Sequence, residues 1–188
     1  MATASIGALG TWATFTTSTS QSHTVASGTM TLALGATGAA TNRLNIGASD
    51  IAPGDTIQRS VDLSNSGSTV DLAAITLTTS ASPSSLLDTD ATNGLQMTID
   101  KCSQAWTEGG SAPAYTYSCG GTTSSVLASR AVIGSNLALS NLSSTTAGAT
   151  DHLRITLSLP AGADNTFQGL SSTISYQFTG TQRAGTNK

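Results

Sequence analysis

Between Asp151 and Pro160 the chain reads DHLRITLSLP, and apolar and polar residues alternate through it almost without a break. Leu153, Ile155, Leu157 and Leu159 fall on one side, and His152, Arg154, Thr156 and Ser158 on the other. In an extended chain successive side chains point to opposite faces, so this pattern is a strand with one face in a core and one toward water. The same period recurs in GLQMTIDK through Leu95, Met97 and Ile99, and in STISYQFTG through Ile174, Tyr176 and Phe178. TMTLAL places Met30, Leu32 and Leu34 on one face. DTIQRSVDLSN places Ile57, Val61 and Leu63 inward, but Arg59 falls on the same inward phase and breaks the pattern. VDLAAITLTT changes phase at Ala73-Ala74, which predicts a β-bulge. RLNI, AYTYS and NLALSNL are weaker strand candidates. Turn chemistry separates the runs at Pro53-Gly54-Asp55, Asn65-Ser66-Gly67, Asn93-Gly94 and Pro160-Ala161-Gly162. No stretch keeps a helical period over ten residues, and PSSLLDTDATNG holds one helical turn at most.

Many short alternating strands punctuated by turns predict an all-β fold, a two-sheet jelly-roll sandwich of antiparallel strands. The 188 residues suit one domain, with no internal repeat and no linker. The expected core is Leu32, Leu34, Ile57, Val61, Leu63, Leu95, Met97, Ile99, Leu153, Ile155, Leu157, Ile174, Tyr176 and Phe178.

What covers such a sandwich is unusual. Only 9% of residues are charged, against about 25% in an ordinary soluble domain. Ser, Thr, Ala and Gly take their place, so the surface is made of hydroxyls and backbone. This is the composition expected of a protein outside the cell. The net charge is −3 and no Lys/Arg run exists, so the footprint of a nucleic-acid binder is absent. No apolar run reaches the ~20 residues that would span a bilayer as a helix. The opening MATASIGALGTWATF is apolar and uncharged, like the end of a secretory signal running into a cleavage site at Thr11-Trp12-Ala13, though without a signal's charged start. The competing reading makes it a strand of the mature protein. Two cysteines, Cys102 and Cys119, bound a Gly-, Ala- and Pro-containing loop, which suits a disulfide between strand ends in an oxidising compartment. The alternative is a pair of buried free thiols.

The inventory for chemistry is thin. His23 and His152 are the only histidines, neither in an HExxH arrangement, and Glu108 is the single glutamate. A zinc peptidase needs three convergent ligands and a general base, which this set supplies only by long-range assembly. Asp88 to Gly94, DTDATNG, resembles a calcium loop, but Ile99 stands near the place of the required bidentate acid. No GxSxG elbow occurs. Gly35-Ala36-Thr37-Gly38 precedes no helix, so it makes no phosphate cradle. Asn141-Leu142-Ser143 is a formal glycosylation sequon. No cofactor or metal site is expected, and no catalytic residue.

Three stretches taken in order carry a resemblance. They are GTWATFTTSTSQSHTVASGTMTL, then DIAPGDTIQRSVDLSNSGS with Pro53-Gly54-Asp55 and Asn65-Ser66-Gly67, then NTFQG…ISYQFTGTQ with Phe167-Gln168-Gly169. Together they resemble the TasA/camelysin family of secreted bacterial proteins, related to archaeal pilus subunits. The resemblance implies a jelly roll, export, and polymerisation into extracellular biofilm fibres by donation of an N-terminal strand to the next subunit. This divides the chain into 1–23, a signal remnant or donor strand, and 24–188, the jelly-roll domain. The donor face would be Phe15, Thr17, Thr19, Gln21, His23 and Val25. The expected partners are copies of the same chain, with other matrix components or the cell surface beside them. The low charge, the cysteine pair and a short middle region depart from better-known members. Two other functions stay open. Some members carry a metallopeptidase label. A glycan-binding adhesin is the other, because Trp106, Tyr115 and Tyr117 cluster in the cysteine loop, unless Trp106 packs over the disulfide. The Phe167-Gln168-Gly169 knot reads as architecture. Gly permits a positive φ before the last strand, and Phe167 folds under the end of the sandwich as a plug.

Overall fold

A computed structural model describes residue 27 and residues 29–185. The N-terminal division 1–23, with Phe15, Thr17, Thr19, Gln21 and His23, and also Val25, lies outside the described residues.

The described chain is mostly strand, with ten strands and almost no helix. They are β1 (Ala33–Leu34), β2 (Thr56–Ser64), β3 (Leu72–Ala81), β4 (Gln96–Cys102), β5 (Thr107–Ser111), β6 (Ala114–Ser118), β7 (Thr123–Ala131), β8 (Gly134–Ala138), β9 (Thr150–Ser158) and β10 (Ile174–Gln182). A single turn of helix, α1 (Leu86–Thr89), is capped by Ser85 and Asp88, and a 3₁₀ turn covers Asn165–Phe167. One antiparallel sheet runs β1-β2-β9-β4-β7, a second runs β10-β3-β8, and β5-β6 form a separate hairpin. Inward residues of the first two sheets share one apolar cluster, which makes the domain a two-sheet sandwich.

The run of strict alternation lies at the centre. β9 pairs with β2 from Thr56↔Ser158 to Ser64↔Thr150 without a slip, and with β4 on its other side. A one-residue slip would turn Leu153 and Ile155 to solvent, so burial of this face pins the register. Val61, Leu63, Met97, Ile99, Leu153 and Ile155 are all at most 1% exposed. The phase change in β3 is a bulge: Ala74 pairs with Thr181 and Leu72 with Gln182, leaving Ala73 over. The bulge lets both Leu72 and Ile75 face the core.

The expected core needs correction at its margins. Leu34 is 38% exposed, because TMTLAL forms only the two-residue β1 at the edge of β2. Upstream of it, Thr29 and Thr31 give their backbone groups to the loop at Ser68-Thr69 rather than to a strand. Leu32, Ile57, Leu157, Ile174, Tyr176 and Phe178 are only half-buried. RLNI is no strand: after Arg43 N–H reaches the Ser60 carbonyl, the chain turns away at Ile46. The sequence reading also missed Val126, Val132 and Leu137, all buried in β7, β8 and their connection. β7 and β4 pair with two register shifts, which destroys any simple period in TSSVLASRA.

Candidate functional site

The half-buried residues are not scattered. Ile57, Leu157, Ile174 and Tyr176 face one another across a cleft of about 540 Å³ on one flank of the sandwich. Leu87, Leu95 and Phe167 also line it, and its rim is the irregular segment 44–51 opposite 169–173. Leu170 on that rim is 37% exposed. The cleft exists because both sheets stop short here. β10 pairs with β3 on one side and, among the described residues, has no strand on the other. β2 is covered by β1 and the Asn42–Val61 bridge along its C-terminal half. Among the described residues no strand covers Thr56–Arg59 along the edge of β2 that faces away from β9.

Arg59, the residue that broke the pattern of β2, sits in this cleft. It is 6% exposed. Its Nε donates to the Ile46 carbonyl at 2.7 Å, its Nη1 to the Gln58 carbonyl at 2.6 Å and its Nη2 to the Gly47 carbonyl at 2.9 Å. Those bonds hold the rim segment onto β2. No carboxylate pairs with it among the described residues. Burial lowers its pKa from the ordinary arginine value, yet a guanidinium stays charged in proteins. Across the cleft, burial pushes the Tyr176 hydroxyl pKa well up, with Arg59 pulling the other way.

The opposite side of β2 carries the cysteine hairpin. Cys102 and Cys119 are disulfide-bonded with their Cα atoms 5.7 Å apart, closing β5 and β6 into one loop. Tyr117 is buried, its hydroxyl donating to Glu108 at 3.0 Å. Glu108 accepts two hydrogen bonds from Arg43, at 2.6 and 2.9 Å. Arg43 holds the Glu108 carboxyl below its ordinary pKa, against a smaller opposing effect of burial. Arg43 and Arg59 both lie over the Tyr115 ring, at 4.8 and 5.8 Å. Trp106 has partners on β9. Its ring lies under Arg154 at 4.5 Å and its Nε1 donates to the His152 carbonyl at 2.9 Å. The aromatic residues of this loop therefore have protein partners already, which leaves little of an open sugar platform.

The sequence-singled turns have structural work. In Pro53-Gly54-Asp55, Gly54 takes φ +95°, Asp55 accepts the Ala52 N–H, and Gly54 and Asp55 pair with Leu159. This turn starts β2 opposite the end of β9. Asn65 is fully buried, bonded through its backbone to Ala149 and Gly148 and through its side chain to Ser68. Ser68 Oγ both accepts the Thr31 N–H and donates to the Thr31 carbonyl. A Cβ on Gly67 would stand 3.1 Å from the Thr31 side chain. The Asn65–Ser68 turn thus grips the chain where it enters the domain. Phe167 is 7% exposed within the core cluster, Gln168 caps the 3₁₀ turn, and Gly169 takes φ +69°.

Most of the side chains that could hold a metal have other partners among the described residues. His152 Nδ1 lies 2.7 Å from Asp62, Asp100 pairs with Arg154, and Asp151 pairs with Lys101. Asp88 is bonded by Ser84, Ser85 and Ser172, and Asp90 accepts the Thr92 and Asn93 N–H groups, so DTDATNG is a capped helical turn. No cluster of three His, Cys, Asp or Glu side chains occurs among the described residues, so they do not fit a zinc centre. His23 lies outside them.

Fold and cleft together define an all-β sandwich domain whose β10 edge no described strand covers, beside a cleft of mixed apolar and polar lining. The chain belongs to the camelysin family: the family described as camelysin metallo-endopeptidase matches residues 1–102. A comparison with curated proteins returned no match. The matched half contains β1 to β4 and both turn motifs, and ends at the first cysteine of the disulfide.

Proposed function

We propose that the chain is the structural subunit of an extracellular fibre, built head to tail as the N-terminal segment of one copy enters the cleft of the next. The observation that supports this is the coincidence of two deficits. Apolar side chains written with inward periodicity stand half-exposed, and they do so beside the edge of β10 that no described strand covers. An added strand would supply both the missing cover and the missing hydrogen-bond ladder. Bare edges are normally guarded by charges or Pro, and β10 carries neither. Repetition of a heterologous contact of this kind gives an open filament. The disulfide agrees with assembly outside the cell.

The role is non-enzymatic in this reading. The family's peptidase name makes the rival explicit, so purified protein is assayed on casein with and without chelator, and no chelator-sensitive cleavage is expected. The assembly reading is tested by deleting residues 1–22. Folded monomers that no longer polymerise are expected. Filaments of unchanged length and width from the truncated protein would mean that completed domains make the contacts, and the reading would fall.

A further inference from the structure

Arg59 is a buried charge in a cleft that apolar side chains share with Asn45, Ser49 and Asp50 of its rim. It occupies an inward position of β2 between Ile57 and Val61, 6% exposed, with no acidic partner among the described residues. Arg43 and Arg154, by contrast, each have a carboxylate within 2.9 Å. The guanidinium has five N–H donors in a fixed fork. Its bonds within the described chain go to three backbone carbonyls, Ile46, Gln58 and Gly47. The Tyr176 hydroxyl lines the same cleft and makes no hydrogen bond within the described chain. While the cleft is open to solvent, water is available to these groups. An occupant that drives the water out must replace it, because a buried unsatisfied donor costs about 1–3 kcal/mol. The cleft therefore selects against a wholly apolar strand. It asks for a hydrogen-bond acceptor placed at Arg59, with apolar contacts on either side.

The segment before the Thr29–Thr31 grip has that order of residues. Its odd-numbered face reads Phe15, Thr17, Thr19, Gln21, His23, Val25, apolar at both ends and polar between. No Asp or Glu occurs before Asp50, so the acceptor is a neutral one. Eleven extended residues at ~3.3 Å each, about 36 Å, also suffice to run alongside the whole of a nine-residue strand such as β10, about 30 Å. Gln21 offers the longest neutral acceptor on this face, and its amide carries a carbonyl for Arg59 and an N–H for the Tyr176 hydroxyl. Resting on the fibre reading above, we propose that Arg59 sets the register of the incoming strand by binding the Gln21 side chain of a second copy of this chain.

A double-mutant cycle on the full chain tests it, read as the critical concentration for polymerisation. Q21L is expected to raise that concentration about tenfold. R59M is expected to raise it as well, and Q21L on top of R59M to add little. Q21E, which offers a carboxylate, is expected to lower it in the wild-type background and not in R59M. Because R59M also removes the brace on Ile46 and Gly47, urea unfolding of each variant is measured beside assembly. R59K, which keeps the charge without the fork, serves if R59M does not fold, and is expected to recover with Q21E. Effects of Q21L and R59M that simply add, in a protein whose N-terminal deletion still abolishes filaments, overturn the pairing and leave the fibre reading standing. Filaments that survive the deletion overturn both. Coupling seen in the unfolding of dilute monomers, with none in assembly, places the segment in its own cleft and overturns the claim for a second copy.

Discussion

Ile155 and Leu157 lie two residues apart on the same face of β9, and cutting each to alanine separates a finished core from an unfinished one. Ile155 is 1% exposed and stands between Arg59 of β2 and Ile99 of β4. Truncation there leaves a closed cavity, at a cost of about 2–5 kcal/mol. For a chain of this size each kcal/mol shifts Tm by roughly 2–4 °C, so a mid-range loss lowers Tm by about 7–14 °C. Leu157 lines the open cleft and is only half-buried. Water fills the space its side chain leaves, so no cavity is sealed. About half the transfer free energy of a leucine is lost, roughly 1 kcal/mol, or about 2–4 °C. The rest of the cost appears only when a second strand covers the cleft. Leu157→Ala should then raise the critical concentration for polymerisation about fivefold or more, since another ~1 kcal/mol of contact is forgone. Urea unfolding of dilute monomers and sedimentation of assembled material measure the two quantities on the same variants. Equal destabilisation of monomers by both substitutions would mean that the cleft is already closed. An unchanged critical concentration for Leu157→Ala would show that nothing packs there in the filament.

Other expectations concern the frame around the cleft. Alkylation without reductant followed by intact-mass measurement should label no cysteine, and replacing Cys102 and Cys119 by serine should cost roughly 3 kcal/mol in urea unfolding. Asp88 and Asp151 have pKa values below the ordinary aspartate value. Burial raises each, but hydrogen bonds outweigh it, from Ser172, Ser84 and Ser85 for Asp88 and from Ser144, Ser143 and Lys101 for Asp151. A carboxylate depressed in the folded state contributes stability above its unfolded pKa of about 3.9 and loses it as pH falls through the folded value. Stability should therefore decline below about pH 4, and Asp88→Asn should make that decline shallower in unfolding measured from pH 5 to pH 2. Gly169→Ala should cost about 1–2 kcal/mol through its positive φ alone, since no neighbour lies within 4 Å of a Cβ there. A cost near zero would show that the turn relaxes.

The strands that could be read from the sequence are those whose two faces meet different solvents. β9, β4 and β10 have one face inward and one outward, so a period of two is written into them. β7 is bulged against β4 and β5 is TEGGS, and neither offers an alternation to find. β1 failed for another reason. Met30 and Leu34 carry the strand period, but Ser68 and Thr69 take the backbone of Thr29 and Thr31, a long-range contact that local pattern cannot express. The cleft was legible only as an anomaly. Arg59 on an inward phase looked like a flaw in β2, and the half-exposed Ile57, Leu157, Ile174 and Tyr176 looked like ordinary core. The two signals combine only when the fold puts them on one flank.

That combination bears on why so little charge is tolerable in this chain. An edge that no described strand covers, beside a partly apolar cleft in a protein with 9% charged residues, invites indiscriminate pairing, since neither repulsion nor a charged edge holds strangers off. A buried guanidinium supplies discrimination of a different kind. It makes no demand while water fills the cleft, and it penalises any strand that displaces the water without returning an acceptor. In the fibre reading proposed above, the discrimination is local to the one surface that assembly would use. It predicts that R59M, where it folds, trades specificity for stickiness. Excess synthetic peptide of alternating Val and Thr, added to full-length protein, should block R59M polymerisation at a concentration that leaves the wild type unaffected. Equal inhibition of both would place the selectivity in the backbone ladder of β10, and Arg59 would be left with the brace on Ile46 and Gly47 as its whole role.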